Sequence, residues 1–147
     1  MISRNYWLIV GGFLSSAAAV LHIAVIFGGP DWYRFFGAGE PMAQMAERGS
    51  LLPAVVTAAI ALVLAIWAAY AFAGSGLVRR LPLMRAALLA ISGIYLIRGL
   101  LIIPLLFQPR ATAFDYWSSL IVLGFGFVYG MGTAIAWPHL TRKESIA

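Results

Sequence analysis

The 27-residue stretch Leu81–Phe107, LPLMRAALLAISGIYLIRGLLIIPLLF, decides the fold of this chain. Between residues 83 and 107 the only charged side chains are those of Arg85 and Arg98. At ~1.5 Å per residue, a helix of this length is longer than the ~30 Å hydrocarbon core of a bilayer. The stretch therefore predicts a membrane-spanning helix that carries one arginine, Arg98, well inside it.

The rest of the chain supplies three further apolar segments of similar length. Of the 147 residues, 63% are hydrophobic and only 10% are charged, which is too apolar for an ordinary soluble domain. We predict one all-α integral membrane domain over residues 1–147. Its four transmembrane helices are expected at about 7–27, 51–73, 83–107 and 117–137, with a long, partly helical interfacial loop at 28–50. This outline is similar to that of small sterol-isomerase-like and DoxX-like membrane proteins, a resemblance of architecture that implies no function.

The distribution of basic residues predicts the orientation. The side of the bundle with both termini carries six basic residues, and the opposite side carries three. The first set is Arg4, Arg79, Arg80, Arg85, Arg142 and Lys143, and the second is Arg34, Arg48 and Arg110. By the positive-inside rule we expect a multi-pass protein of the cell inner (plasma) membrane with both termini in the cytoplasm. The net charge of +5 is thus a topology signal, and no nucleic-acid partner is expected.

Arg98 is the candidate functional residue. An arginine at the bilayer centre costs roughly 2.5–3.5 kcal/mol on insertion scales, so it normally faces protein or water and has partners. On a helix, Ser92, Tyr95 and Arg98 lie three residues apart and share one face. Two interpretations remain open. Arg98 contacts a ligand, or it is a structural strut bonded to carbonyl groups or to a carboxylate of a loop.

The predicted topology brings several polar groups to the outer end of the bundle. We expect a pocket under the 28–50 loop, bounded by His22, Tyr95 and Arg98 and covered by residues 32–36. It would bind a lipid or another amphipathic small molecule through its head group. The predicted ligand-binding residues are Arg98, Tyr95, His22, Tyr33, Trp32 and Glu40. Each has a structural alternative: a hydrogen bond between helices for the histidine, interfacial anchoring for the aromatic residues, and a helix cap or ion pair for Glu40.

Two other functions are compatible with the sequence. A membrane enzyme acting on a lipophilic substrate would use His22 as general acid and base, oriented by Glu40 or Tyr95. A structural or accessory subunit would bury the GxxxG face of Gly126 and Gly130 against a partner. The same two glycines fit either packing within the chain or a homodimer.

Metal and cofactor chemistry have little support in the sequence. The chain has no cysteine, and its two histidines, His22 and His139, fall on opposite faces of the membrane in the predicted topology. Motifs for a phosphate loop, a dinucleotide site or a serine nucleophile are absent from the sequence. We therefore predict no metal site and no cofactor.

Overall fold

The computed structural model describes residues 4–109 and 111–140 and consists of helices. In chain order these are α1 (Tyr6–Gly28), α2 (Pro30–Phe35), α3 (Glu40–Glu47), α4 (Leu52–Gly74), α5 (Met84–Leu100), α6 (Ile102–Leu105) and α7 (Ala113–Ala136). Four spans are long and apolar enough to cross a membrane, namely α1, α4, α5 continued by α6, and α7. The predicted four-helix membrane bundle is confirmed.

The third span differs from the continuous helix predicted over residues 83–107. Leu83 adopts a left-handed conformation with φ 55°, and the helix begins after it, at Met84. The helix is then interrupted at Leu101 before the short helix α6. Pro104 has no N–H group to bond the carbonyl of Leu100, one turn earlier, so the regular hydrogen-bond ladder cannot pass this point.

The fourth span begins earlier than predicted. Thr112 and Asp115 form a capping box, in which each side chain accepts a hydrogen bond from the backbone N–H of the other residue. This pair satisfies two otherwise unpaired donors at the start of a helix. Helix α7 therefore starts at Ala113, four residues before the predicted start at residue 117.

The four spans form two closely packed pairs. Helix α1 packs along α4, and α5 packs along α7. Glycines allow the close approach: a Cβ atom on Gly99 of α5 would lie 2.5 Å from the Cα atom of Leu123 on α7. The two pairs meet mainly between α1 and α7, and the contact between α4 and α5 is slighter. Small residues at the crossing points are typical of helix packing in membranes.

A cluster of three hydroxyl groups holds the two pairs together in the core. The hydroxyl of Ser15 on α1 lies 2.8 Å from that of Tyr95 on α5 and 2.7 Å from that of Tyr129 on α7. The Tyr129 hydroxyl also donates to the carbonyl of Trp67 on α4, at 3.3 Å. All four spans thus share one small hydrogen-bonded network in the buried centre.

The start of α1 and the end of α7 lie at the same end of the bundle. Asn5, which caps α1, donates to the carbonyl of Gly132 at 2.7 Å. Arg80 and Arg85, which lie between α4 and α5 and in the first turn of α5, donate to the carbonyls of His139 and Trp137. The connection between α1 and α4, with helices α2 and α3, consequently lies at the opposite end.

Candidate functional site

A cavity of about 450 Å³ lies beneath the connection between α1 and α4. Four polar side chains line it, those of His22, Tyr33, Thr57 and Arg98. The rest of the lining is aliphatic or aromatic and includes Leu21, Val25, Phe36, Val56, Ile60 and Phe114. A concave, mainly apolar space with a few polar groups has the general character of a small-molecule site.

The connection between α1 and α4, residues 29–51, covers this cavity and is called the cover below. The cover contacts both helix pairs. It continues directly from α1, and at Gly37 it turns with a left-handed φ of 73°. The ring of Phe114, in the first turn of α7, lies so close to Gly37 that a Cβ atom there would be 2.6 Å from the phenylalanine Cε1. Phe36 packs edge-on against the same ring, with 6.1 Å between the ring centroids. Only glycine fits this contact, both for its conformation and for the space.

Arg98 lines the cavity and has one hydrogen-bond partner among the described residues. Its Nη1 donates to the hydroxyl of the fully buried Ser119 on α7, at 3.1 Å. Within residues 4–109 and 111–140 it makes no ion pair. Asp115 attracts it electrostatically from a greater distance, and that carboxylate accepts hydrogen bonds from Thr112. Arg98 is an exposed residue, and its one hydrogen bond among the described residues uses only one of the five N–H donors of the guanidinium.

The acidic residues of the cover are held by another arginine. Arg34 on α2 pairs with Asp31 at 3.3 Å, with Glu40 at 2.8 Å and with Glu47 at 2.8 Å. The hydrogen bonds from Arg34 lower the pKa of Glu40 to about 2, with a smaller contribution from Gln44. The same bonds raise the pKa of Arg34 well above its ordinary value. Glu40 therefore sits outside the cavity lining and bonds to Arg34, not to Arg98 or His22.

Tyr33 is a buried residue of the cavity lining, and its hydroxyl is buried without a hydrogen-bond partner among the described residues. The residue is 2% exposed, and in the described part of the chain its Oη makes no hydrogen bond. A buried hydroxyl without a partner costs about 1–3 kcal/mol. Its neighbour Trp32 is 42% exposed, packs over Gly28 and against Phe36, and does not line the cavity.

His22 lines the cavity near the end of α1 and is half-buried. Its Nδ1 lies 2.8 Å from the carbonyl oxygen of Ala18, one turn earlier. A carbonyl can only accept, so Nδ1 carries the proton, and Nε2 of the neutral ring is an acceptor. Among the described residues no Asp or Glu lines this cavity. The imidazole thus has a fixed tautomer but lacks the carboxylate that a catalytic pair requires.

Tyr95 lies in the core and does not line the cavity. Ser92, Tyr95 and Arg98 share one face of α5, as predicted, but that face packs against α7. The hydroxyl of Ser92 lies 3.4 Å from that of Thr133, and Arg98 bonds to Ser119. Tyr95 occupies the space between them, with its hydroxyl on Ser15 and its ring on Tyr129.

The two glycines of the GxxxG motif have different surroundings. A Cβ atom on Gly126 would lie 2.8 Å from the backbone nitrogen of Leu96, so this glycine packs against α5 of its own chain. At Gly130 such an atom would meet nothing within 4 Å among the described residues. The homodimer through Gly126 and Gly130 stays a prediction, with Gly130 the part of the motif that is open.

No group of three potential metal ligands occurs among the described residues. His139 lies at the opposite end of the bundle from His22, near Arg80. The polar groups that line the site are therefore those of Arg98, His22, Tyr33 and Thr57.

Thr57 and Phe114 line the cavity but were not predicted to do so. Thr57 is the only Ser or Thr in the long apolar helix α4, and that isolation is a signal in the sequence. Phe114 carries no such signal, because its contact with Phe36 depends on how the chain turns at Gly37.

Comparisons with protein-family models, with curated proteins and with solved structures find no match for this chain. The fold and the site define a multi-pass, four-helix membrane protein with a mainly apolar cavity at one end, lined by four polar side chains.

Proposed function

We propose that this membrane protein binds a lipid or another amphipathic small molecule in the cavity beneath the connection between α1 and α4. The observation that supports the proposal best is Arg98, a cation of a membrane-spanning helix that lines the cavity without an ion-pair partner among the described residues. An intramembrane arginine costs roughly 2.5–3.5 kcal/mol on insertion scales. One hydrogen bond to Ser119 offsets only part of that cost.

The separation of the acidic side chains of the cover from Arg98 also supports a binding site. Arg34 engages the carboxylates of Asp31, Glu40 and Glu47 on the outer surface of the cover. These three carboxylates are thereby held by another cation, and the described residues that line the cavity include no acidic side chain that could pair with Arg98. A polar or anionic head group would complement Arg98, and the apolar lining would contact the rest of the ligand.

The proposal includes the orientation in the membrane. With both termini in the cytoplasm, as the basic residues indicate, the cavity lies in the outer leaflet of the inner (plasma) membrane. Molecules dissolved in that leaflet would reach it without crossing the bilayer.

An enzymatic role has less support than binding. His22 lines the cavity, but Glu40, its predicted orienting carboxylate, is bound to Arg34. An accessory-subunit role relies on the Gly126 and Gly130 face, half of which contacts α5 of the same chain. Neither function has an observation that favours it over a binding site.

Native mass spectrometry of gently purified protein, followed by lipid extraction, tests the proposal. We expect one co-purifying species in the wild type and in the control Arg48→Leu, which removes an exposed arginine of the cover that hydrogen-bonds Gln44 and does not line the cavity. We expect Arg98→Leu to lose it and Arg98→Lys to retain part of it. A folded protein that carries only bulk lipid, or a ligand retained by folded Arg98→Leu, would overturn the proposal.

A further inference from the structure

An apolar groove continues from the cavity along α4. It has a volume of about 360 Å³ and is lined by Val56, Ala59, Ile60, Val63, Leu64 and Trp67. Val56 and Ile60 line both the groove and the cavity, so the two spaces adjoin. From Val56 to Trp67 the groove follows α4 for about 16 Å, or three turns.

The groove presents the surface of a single helix. All six lining residues belong to α4, and among the described residues they include no charged side chain. The slight contact between α4 and α5 leaves most of this strip exposed, whereas Leu64 is buried and the ring of Trp67 packs edge-on against that of Tyr95, with 4.9 Å between the ring centroids. The six residues recur every three or four positions and so form one stripe of the helix surface, along which a single hydrocarbon chain can lie.

Where the groove adjoins the cavity, the side chains of the cavity offer hydrogen-bond donors and a positive charge. Arg98 supplies N–H groups beyond the one bonded to Ser119, and Tyr33, a residue that is 2% exposed, carries a buried hydroxyl with no partner in the described part of the chain. Both residues line the same cavity, in which no described carboxylate is found. Hydrogen bonds from such donors to an ionised oxygen are roughly twice as strong as neutral ones. Charge complementarity therefore favours an anionic head group over a zwitterionic one.

We propose that the ligand is a single-chain amphiphile with an anionic oxygen head group, a carboxylate or a phosphate monoester. Its head accepts hydrogen bonds from Arg98 and Tyr33, and its chain lies in the groove from Val56 to Trp67. This inference rests on the proposed function, because it names the class of molecule that the same cavity takes.

Quenching of Trp67 fluorescence by 9,10-dibromostearate tests the position of the chain. With the protein in phosphatidylcholine nanodiscs, we expect saturable quenching that the variant Trp67→Phe largely removes. Ala59→Trp places a large side chain in the groove and should abolish the saturable component. Its matched control is Ala58→Trp, at a neighbouring exposed position of α4 that does not line the groove. Equal saturable quenching in both variants would overturn the placement.

The head group is tested with two further variants and with competitors. Tyr33→Phe should weaken dibromostearate binding roughly tenfold, the effect of about 1.4 kcal/mol, without lowering thermal stability. Arg98→Leu should abolish it. Oleate and 1-oleoyl lysophosphatidate should displace the probe, whereas 1-oleoyl lysophosphatidylcholine and dioleoylphosphatidylglycerol should not. Displacement by the zwitterionic or the two-chain lipid would overturn the inference.

The outcomes separate this inference from the broader proposal. If no single-chain anion binds, yet native mass spectrometry finds another species that Arg98→Leu loses, the cavity binds a ligand of a different class and only this inference fails. If no species depends on Arg98 in either experiment, both fail.

Discussion

The guanidinium of Arg34 binds the carboxylate of Glu40 through two hydrogen bonds, 2.8 Å from Nε and 2.9 Å from Nη2. A third bond of 2.8 Å runs from Nη2 to Glu47, at the end of α3. These bonds join the two short helices of the cover across the glycine joint at residues 37–39. They also keep the carboxylates of the cover away from Arg98.

The pKa of Glu40 predicts how acid affects this cover. Arg34 holds that pKa at about 2, below the ordinary value of 4.5. A depressed pKa in the folded state contributes stability above pH 4.5, and that contribution is lost as the pH falls from 4.5 towards 2. We expect the protection factors of residues 30–47, which are exchange rates corrected for the intrinsic rate at each pH, to fall severalfold over this range, as measured by mass spectrometry. Glu40→Gln should show faster exchange at neutral pH and a weaker dependence on acid.

The control for this experiment is Arg48→Gln, since Arg48 hydrogen-bonds Gln44 and, among the described residues, makes no ion pair with the acids that Arg34 holds. Its exchange should follow that of the wild type at every pH. If Glu40→Gln kept the full acid dependence, another group would be responsible for it.

The core hydroxyl cluster predicts a stability difference between two adjacent serines. Ser15→Ala leaves the buried hydroxyl of Tyr95 without its partner, whereas Tyr129 keeps its bond to Trp67. We expect a loss of about 1–2 kcal/mol in the free energy of unfolding in detergent. Ser16→Ala removes only a bond to the Gly12 carbonyl within the same helix and should cost less than about 0.5 kcal/mol. Equal losses would show that the cluster does not join the helices.

The two glycines of α7 should respond differently to alanine. Gly126→Ala forces a Cβ atom to within 2.8 Å of the Leu96 backbone and should destabilise the protein by about 1–3 kcal/mol. Gly130→Ala meets open space among the described residues and should leave stability unchanged or raise it by up to about 1 kcal/mol. Thermal unfolding in detergent measures both. A dimer mass in light scattering that Gly130→Ala abolishes would instead indicate a second chain at this position.

Arg98→Leu separates a ligand-binding arginine from a structural strut. Arg98 is exposed and makes one hydrogen bond to Ser119, so its removal should change the unfolding free energy by less than about 1 kcal/mol. Leucine should also insert more easily, by roughly 2.5–3.5 kcal/mol on insertion scales. Ser119→Ala is the control for the lost hydrogen bond. A much larger destabilisation by Arg98→Leu than by Ser119→Ala would favour the strut.

The sequence is informative about the spans because length and hydropathy alone define them. Length and hydropathy predict that the stretch from Leu83 to Phe107 crosses the membrane. The interruption of its helix at Leu101 depends on the backbone geometry before Pro104, which hydropathy does not reveal. The start of α7 was predictable in principle, since Thr112 and Asp115 have the spacing of a capping box. The expected start at Trp117 was wrong because the helix was placed at the beginning of the apolar run, without regard to the capping-box residues before it.

The candidate site is less accessible to sequence reasoning. Topology predicts that His22, Tyr33 and Arg98 lie at one end, and all three line the cavity, although their binding role stays a prediction. The partner of Glu40 could not be predicted, because the turn at residues 37–39 decides which arginine it reaches. Tyr95 was expected at the cavity but lies in the core, because the rotation of α5 directs it towards Ser15.

The contact between Gly37 and Phe114 has a consequence for the cavity as a whole. Gly37 belongs to a connection that extends from α1, whereas Phe114 belongs to α7, so the cover is fastened to both helix pairs. The direct contacts of α1 with α7, through residues such as Gly11 and Ser15, lie in the first half of α1, and the cavity lies at its other end. The width of the cavity therefore depends on the spacing of the two helix pairs at that end. Under the proposed function, that spacing would limit the size of the ligand.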